Sequence, residues 1–401
     1  MLPVQEARAR IVAGMRPTQG EIVALPDAWG RVTSSAVLAR LTQPPSDVSA
    51  MDGYALRAAD GVAGAVLQVV GRAPAGHAYG GIVGAGQSVR LYTGSAVPAG
   101  ADTVAVQEDV AASDGSIALS AAALPGRHIR RMGQDFHVGA ELIPAGTRLG
   151  ARAVGLAAAA NHPWLAVHRR PRIAILATGD EISLPGEPLG PASIVSSNAH
   201  ALAALVRAGG GDPMVLPIAR DTKQAIADAV QALAGVDMLV TTGGASVGDY
   251  DLVQGGLAER GFALDFWRVA MRPGKPLLFG MLGGVPVLGL PGNPVSALVC
   301  AVLFLLPALA RLSGLPGDVL PSVMLPLGTA VAANDHREDY MRAAIAPGPD
   351  GRDVVTPFAR QDSSMMHMLA QAHGLLIRPP HGLALPTGTL VPVLRLDTMG
   401  L

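Results

Sequence analysis

The chain has 401 residues, which at the usual domain size corresponds to about two to four domains. Its 30 Lys and Arg balance 31 Asp and Glu, so the formal net charge of −1 excludes a broad basic surface for nucleic acid. Half of the residues are hydrophobic and only 15% are charged, a composition that argues against disorder. The single cysteine, Cys300, excludes disulfides and multi-cysteine metal centres, and we expect it to be inert core.

The N-terminus predicts no export signal, because Glu6, Arg8 and Arg10 stand where a signal peptide needs an apolar run. The segment 276–310 carries no charge and is long enough to span a membrane. Gly and Pro residues at 283–284 and 290–294 divide it, however, so we predict a buried strand followed by a buried helix. We therefore expect a soluble cytoplasmic protein with no membrane span.

The first 170 residues divide into helical ends and a central β-rich part. The stretches 5–14 and 151–160 are helix-prone, whereas 40–145 consists of short apolar runs broken by Pro and Gly. This order predicts a β-rich module inserted into a small helical region.

From residue 172 the pattern becomes regular. Predicted strands alternate with predicted helices, which indicates a doubly wound α/β domain around a mainly parallel sheet. Beyond residue 316, short β-like runs predict a small C-terminal barrel or sandwich. The predicted strands of the α/β domain are 172–178, 214–218, 238–242, 264–270 and 285–290, and the predicted helices are 199–208, 223–233, 252–260 and one from residue 294.

Ligands of open α/β sheets bind at the carboxyl ends of the strands, so the residues that follow each strand are the candidates. The strand at 172–178 ends in Thr178 and is followed by Asp180 and Glu181. A Gly-rich segment follows the strand at 238–242. Its glycines let backbone N–H groups approach an anion, its hydroxyls are donors, and its carboxylates are suitable Mg²⁺ ligands. The candidates in this segment are Gly243, Gly244, Ser246, Asp249 and Asp251.

Arg268, Arg272 and Lys275 follow the fourth predicted strand in a loop with two prolines. The run from Arg268 to Lys275 contains no acidic residue, so its three cations would repel one another unless an anionic group lay beside them. The run therefore predicts an anion-binding cluster.

The strand at 285–290 is followed by Pro291, Asn293 and Pro294, which predict an Asn-capped helix with Pro at its first position. Free N–H groups at such a helix start favour phosphate, although an ordinary capped helix has the same pattern. No P-loop, dinucleotide-binding or zinc-peptidase motif is present in the sequence.

Taken in order, seven motifs resemble the molybdopterin molybdenumtransferase family, which includes bacterial MoeA and the gephyrin E domain of animals. They are 49–55, Thr93 with Gly94, Arg130 with Gly133 and Asp135, 178–181, 243–251, 272–276 and 290–296. The resemblance implies an α/β multidomain chain and an elongated homodimer in which the α/β domain of one subunit faces the β-rich arm of the other. The implied parts are a helical linking region at 1–43 and 140–170, an inserted β-rich arm at 44–139, a doubly wound, molybdopterin-binding type α/β domain at 171–316 and a C-terminal β-barrel at 317–401.

The resemblance also implies a reaction. Adenylylated molybdopterin and molybdate, a substrate, give molybdenum cofactor and AMP with help from Mg²⁺. A molybdopterin adenylyltransferase would supply the pterin, and acceptor molybdoenzymes would receive the product.

Carried over to this sequence, the resemblance assigns catalytic, substrate-binding and metal-binding residues. Asp52, Thr93, Arg130 and Asp135 belong to the half of the site that the dimer completes. The catalytic residues are Asp52, Glu181, Asp221, Asp251 and Lys275; the substrate-binding residues are Thr93, Arg130, Asp135, Thr178, Gly243, Gly244, Ser246, Arg268, Arg272, Pro291, Asn293 and Pro294; the metal-binding residues are Glu181, Asp221 and Asp251.

The sequence departs from the family pattern in two places. Arg268 and Arg272 stand where bacterial relatives commonly have Lys, and because an arginine keeps its proton neither can act as a general base. Ser196 stands before the Ser-Asn pair, where the family tends to have an acidic residue.

Two other functions stay open at this point. The chain can be an adenylyltransferase that uses ATP for the preceding step, but the arm and the C-terminal module disfavour this, because that enzyme resembles only the α/β domain. It can also be a non-catalytic scaffold, by analogy with receptor clustering by gephyrin. The retained carboxylates and Lys275 argue against the scaffold.

Overall fold

The structure, a computed structural model, describes residues 1–231, 233–243, 250–317, 320–397 and 399, without the side chains of 250 and 251. The chain begins with a helix whose apolar face, Val4, Ala7 and Ile11, is buried in the core of the α/β domain. The predicted N-terminal helix is thus present, and it packs on that domain. The first elements are α1 (Val4–Ala13), β1 (Gly20–Ala24) and β2 (Val37–Leu38).

The structure has strands and short 3-10 turns but no α-helix over residues 44–139, in agreement with the β-rich pattern of the sequence there. Its main sheet has the strand order β7-β4-β6-β5-β9-β8, and buried apolar clusters cover both faces. Its strands are β3 (Val48–Ser49), β4 (Gly53–Leu56), β5 (Val66–Ala73), β6 (Gln87–Leu91), β7 (Thr103–Val106), β8 (Val110–Ser113), β9 (Ser116–Leu119) and β10 (Ile129–Arg130).

After the arm the chain returns to its starting region through β11 (Glu141–Ile143), α2 (Ala151–Ala159) and β12 (Trp164–His168). There β11 pairs with β2 and β12 pairs with β1, both antiparallel. Because the strands before and after the arm pair with one another, the arm is an insertion, as the sequence predicts.

The α/β domain is built on a six-stranded sheet of order β16-β13-β17-β21-β20-β18. All strands run in the same direction except β20, so the carboxyl ends of the other five share one edge. The elements are β13 (Arg172–Ala177), β14 (Ile182–Ser183), β15 (Ile194–Val195), α3 (Asn198–Ala208), β16 (Asp212–Val215), α4 (Lys223–Ala229), β17 (Met238–Thr242), α5 (Tyr250–Ala258), β18 (Phe262–Trp267), β19 (Met271–Arg272), β20 (Leu278–Leu282), β21 (Val285–Leu290), α6 (Pro294–Cys300) and α7 (Leu306–Leu312).

One detail of the charge-free segment differs from the prediction, and the prediction left a second one, the end of the helix, unspecified. Strand β20 was not predicted; it forms a hairpin with β21 through Gly283 and Gly284, whose φ angles of 55° and 89° suit a two-residue turn. The helix also continues past Pro307, because a π-helical turn at Ala301–Leu305 lies between α6 and α7 and widens the helix just before the proline.

The helix Pro294–Leu312 is the one candidate for a membrane span in the described part of the chain. Of its most apolar 18-residue window, 83% is buried inside the protein. Its hydropathy is therefore that of a core helix, which agrees with the predicted buried helix.

The C-terminal part is a closed barrel. The sheet order β23-β25-β26-β22 is continued by β24 on the outer side of β23, and a bridge from Leu327 to Val355 joins the β22 end back to β24. The short β19 of the α/β domain pairs in parallel with the start of β23. The elements are β22 (Val323–Pro326), β23 (Glu338–Pro347), β24 (Asp353–Pro357), α8 (Met366–Ala370), β25 (Gly374–Arg378) and β26 (Leu390–Arg395).

Phe304 tests whether the charge-free helix is core. Its side chain is fully buried, so we expect Phe304→Ala to lower the free energy of unfolding by about 3–5 kcal/mol, measured by urea denaturation. Leu383→Ala is the matched control, because Leu383 is 80% exposed and its loss should cost less than about 0.5 kcal/mol. Equal effects of the two substitutions would contradict the packing described here.

Candidate functional site

A cavity of about 1110 Å³ lies at the carboxyl edge of the α/β sheet and is walled on its far side by the barrel. We call it the junction cavity. Its lining comes from the turns after β13, β17 and β21, from the loop 271–276, and from barrel residues 337 and 361–366. The cavity therefore lies where the rule for open α/β sheets expects a ligand site, beyond the carboxyl ends of the strands.

Eight of the residues assigned from the sequence to catalysis, substrate binding or metal binding line the junction cavity. Thr178 lies behind it and is fully buried, and its hydroxyl has no hydrogen-bond partner in the described part of the chain. Gly244 and Ser246 lie outside the described residues, as does the side chain of Asp251. The eight are Glu181, Asp221, Gly243, Arg272, Lys275, Pro291, Asn293 and Pro294.

Only glycine fits at position 243, because the ends of strands β13 and β17 approach each other closely there. Its φ is +101°, and a Cβ at this position would lie 2.2 Å from the carbonyl oxygen of Thr178. A side chain here would push apart the ends of β13 and β17. The glycine signal in the sequence thus corresponds to close backbone packing at the floor of the cavity.

Glu181 and Asp221 bring two carboxylates to the cavity wall. The backbone N–H of Asp221 donates to Asp180 Oδ1 over 3.4 Å, which ties the turns after β13 and β16 together. Within the described residues no three His, Cys, Asp or Glu side chains converge as a metal site. The third residue of the predicted metal set, Asp251, has its side chain outside that part.

The three cations of the basic loop do not form one cluster. The Arg268 guanidinium stacks on the Trp267 ring at 3.7 Å from its centroid, and Arg268 does not line the cavity. Arg272 lines the cavity but is bonded to barrel carboxylates. Lys275 lines it and makes no side-chain hydrogen bond or ion pair with the rest of the described chain.

Arg272 is held by three residues just before and within β23. Its Nη2 donates to an oxygen of Asp339 and to Asn334 Oδ1 (3.3 Å), and its Nη1 lies 3.5 Å from Asp335 Oδ2. The hydrogen bond to Asp339 raises the pKa of Arg272. Asp335 also accepts from Arg337, and these hydrogen bonds lower its own pKa.

The start of α6 is occupied by the barrel. The N–H of Val295 donates to the carbonyl of Ser363 over 3.1 Å, and the Asn293 side chain donates to the Ser363 hydroxyl over 2.9 Å. Asn293 stands at the N-cap position, but its side chain does not cap the helix. One N–H that we expected to be free for phosphate is therefore already bonded.

Sequence reasoning missed the barrel side of the cavity. Arg342 fixes the polar segment 361–364, because its Nε donates to Gln361 Oε1 over 3.2 Å and its Nη1 donates to the Asp362 carbonyl over 2.8 Å. The run of four polar residues was the available signal. It pointed to no strand end, so the strand-end rule did not select it. The missed lining residues are Arg337, Gln361, Asp362, Ser363, Ser364 and Met366.

Asn198, on the α/β side of the cavity, was also missed, and its hydrogen bonds explain its position. Its side-chain amide donates to Thr242 Oγ1 over 2.9 Å and to the carbonyl of Gly292 over 2.7 Å. Asn198 thus ties α3 to the ends of β17 and β21, and it lines the cavity.

The arm has a separate cavity of about 730 Å³, which shares no lining residue with the junction cavity in the described chain. Arg130 and Asp135 line it beside Gly94. Nearby, Asp52 Oδ1 accepts from the backbone N–H of Thr93 (2.8 Å) and from its hydroxyl (2.9 Å). The four arm residues therefore lie in one region, apart from the sheet edge.

An aromatic stack lies next to Asp52. The Arg90 guanidinium lies 4.8 Å from the ring centroid of Tyr54 and 5.4 Å from that of Tyr92. The N–H of Thr93, then its hydroxyl, then the charge of Arg90 lower the pKa of Asp52. Asp52 is therefore an anion at neutral pH.

Thr93→Val tests the Asp52 contact. We expect the pKa of Asp52 to rise but to stay below its ordinary value, because the backbone bond remains. The readout is the ¹³C shift of the Asp52 carboxyl carbon, followed from pH 6 to the onset of acid unfolding. Since the folded pKa is depressed, Asp52 stabilises the fold above its unfolded pKa, and this is lost as pH falls through the folded pKa. Thr93→Ser keeps the hydroxyl and should titrate like the native chain; an unchanged pKa in the valine variant would contradict the contact.

Comparison with known families gives three matches that together cover most of the chain. The MoeA N-terminal region (domain I and II) matches residues 2–161, a probable molybdopterin binding domain matches residues 174–311, and the MoeA C-terminal region (domain IV) matches residues 324–396.

Individual relatives extend over nearly the full length. The molybdopterin molybdenumtransferase of Nostoc sp. is 35% identical over 94% of this chain and 88% of its own. Molybdopterin molybdenumtransferase 2 of Mycobacterium tuberculosis is 33% identical over 98% of this chain and 99% of its own. A crystal structure of the molybdopterin biosynthesis MoeA protein of Pyrococcus horikoshii superposes with a TM-score of 0.85 at 29% identity, covering 98% of this chain and 99% of that one.

Proposed function

Because this chain belongs to the molybdopterin molybdenumtransferase family, we propose that it inserts molybdate into adenylylated molybdopterin, releasing AMP and giving molybdenum cofactor. The observation that carries the proposal is the junction cavity. It combines carboxylates, a lysine with no partner in the described chain and several hydroxyl and amide donors in one space of about 1110 Å³. Its volume slightly exceeds the range of typical small-molecule sites, which suits a dinucleotide-like substrate.

The chemistry of the cavity suits oxyanion substrates. Molybdate and the pyrophosphate of the pterin substrate need cations and N–H or O–H donors, and Lys275 supplies an amine with no competing partner in the described chain. We assign substrate binding at this cavity to Gly243, Arg272, Pro291, Asn293 and Pro294. Thr178 lies directly behind the floor with a buried, unbonded hydroxyl.

Mg²⁺ fits the donor set present in the cavity. Glu181 and Asp221 offer the hard oxygen ligands that this ion prefers, and Asp251 is the third residue that we assign to it. When bound, Mg²⁺ would offset negative charge that develops on the phosphates as AMP leaves. Glu181 and Asp221 would hold the ion at the cavity wall to which both belong.

We propose that the arm completes the site across a homodimer. Arg130 and Asp135 line the arm cavity, and Thr93, which holds Asp52, is next to Gly94 of the same lining. None of the four lines the junction cavity of the same chain, so the two sets can act together if a partner subunit brings its arm. We place the enzyme in the cytoplasm. A molybdopterin adenylyltransferase precedes it, and molybdoenzymes take its product.

We also propose that the chain has four structural parts. It assigns 1–43 with 140–170 to the linking region, 44–139 to the arm, 171–316 to the α/β domain and 317–401 to the barrel. The strand pairings that close the base of the arm, and the closure of the barrel, support it.

The adenylyltransferase and scaffold alternatives have less support. Family matches extend over the N-terminal and C-terminal regions as well as the α/β domain, and the barrel walls the cavity, whereas an adenylyltransferase resembles the α/β domain alone. A scaffold has no need for the carboxylates and the lysine that line the cavity.

The direct test incubates the purified chain with adenylylated molybdopterin, Mg²⁺ and molybdate. We expect AMP release that depends on molybdate, and reactivation of an apo-molybdoenzyme by the product. ATP consumption with molybdopterin in place of AMP release would support the adenylyltransferase, and tight pterin binding without AMP release would support the scaffold.

Asp52→Ala tests the contribution of the arm. We expect the chain to stay folded, because the missing group is a partly exposed loop carboxylate that lies outside the core. We expect its molybdate-dependent AMP release to fall at least about 100-fold, because a carboxylate assigned to catalysis is removed. Circular dichroism and the assembly mass by light scattering are compared with the native chain. Asp60→Ala, which changes another carboxylate of the arm outside both cavities, should keep activity; an unfolded or dissociated Asp52 variant would make that residue structural.

A further inference from the structure

Two of the three cations that line the junction cavity are neutralised by barrel carboxylates. Arg272 contacts Asp339 and Asp335, and Arg337 contacts Asp335 through Nη2 over 2.7 Å. Lys275 alone has no such partner in the described chain. Removing one carboxylate therefore changes the charge that the cavity presents to an oxyanion.

We propose that Asp339 and Asp335 are positioning residues that hold the Arg272 guanidinium at the cavity wall and thereby limit how tightly the cavity binds an oxyanion such as molybdate. The inference rests on the proposed function, because it concerns the same cavity and the same substrate class. Neither carboxylate lines the cavity, so they act through Arg272 and not on the substrate.

Asp339 contacts Arg272 in two ways: its side chain neutralises the guanidinium, and its backbone holds the strand that carries Arg272. It is 8% exposed, and in the β19–β23 pairing Arg272 is its direct backbone partner. The side-chain ion pair and the strand pairing therefore hold the same residue. The loop 271–276 also packs tightly at Gly274, whose φ is +107° and where a Cβ would lie 2.3 Å from the Cys300 sulfur.

The two consequences of removing this charge have opposite directions. An anion in the cavity competes with Asp339 and Asp335 for the N–H groups of Arg272, so loss of a carboxylate strengthens binding of a free oxyanion. Loss of the anchor also lets the loop that carries Lys275 depart from its productive position, which lowers turnover. Simple unfolding changes neither affinity nor turnover of the remaining folded fraction in this way.

The experiment measures inorganic molybdate binding by equilibrium dialysis and AMP release by the full chain. For Asp339→Asn we expect molybdate to bind about tenfold more tightly, since one neighbouring opposite charge is removed. We expect kcat to fall about tenfold. Asp353→Asn is the matched control. Asp353 pairs with Arg395 over 3.0 Å in the same barrel but away from the cavity, so neither quantity should change.

A double-mutant cycle separates positioning from general destabilisation. If Asp339 acts through Arg272, Asp339→Asn changes molybdate affinity in the native background and has no further effect in an Arg272→Met background. The same change in both backgrounds overturns the inference. Should Asp339→Asn fail to fold, Asp335→Asn keeps the Asp339 bond, and we expect about threefold tighter molybdate binding; equal or weaker binding by this variant overturns the inference.

The outcomes distinguish this inference from the proposed function. A native chain that binds molybdate and releases AMP, but whose carboxylate variants bind molybdate equally or more weakly, overturns the inference alone. A native chain that binds molybdate without releasing AMP overturns the proposed function, and the binding arm of the cycle still decides the inference. A native chain that binds no molybdate overturns both.

Discussion

The ion pair between Arg272 and Asp339, together with the strand pairing of the same two residues, joins the α/β domain to the barrel. A second contact lies close by, where the carbonyl of Ser363 accepts from the N–H of Val295. Between these contacts the barrel becomes a wall of the junction cavity. The site is therefore a product of how two domains are joined, and neither domain encloses it alone.

Much of the fold follows from local patterns. The buried strands β13 and β21 consist almost entirely of apolar residues, and the Pro and Gly turns of the arm mark it as β-rich. Strand β20 was missed because a buried strand and a buried helix have similar composition in a segment without charge. The continuation of the last α/β-domain helix across Pro307 could not be derived from the sequence, for another reason. It depends on a π-helical turn, and tertiary packing decides where such a turn forms.

The candidate site divides in the same way. Glu181, Gly243, Lys275 and Asn293 were predicted to be near one another because strand direction alone brings them to one edge. Asp335 and Asp339 could not be predicted, since Asp339 is 67 residues from Arg272 in sequence. The argument that the basic run needs a negative partner was correct in its physics. Part of that partner is the chain's own pair of carboxylates, whereas the prediction had assigned it to a ligand alone.

The start of α6 leads to a related conclusion about how anions are recognised here. We expected its free N–H groups and the helix dipole to hold phosphate, but the Ser363 carbonyl takes the N–H of Val295 and the Asn293 side chain turns to the Ser363 hydroxyl. In the proposed function, anion binding would then rely more on side chains such as Lys275 and on the charge that Arg272 retains beside its carboxylates. Because Ser363, Asp335 and Asp339 all belong to the barrel, a small change in how the barrel sits on the α/β domain alters the helix start and the basic loop together. The barrel thus controls the electrostatics of a cavity whose floor belongs to the α/β sheet.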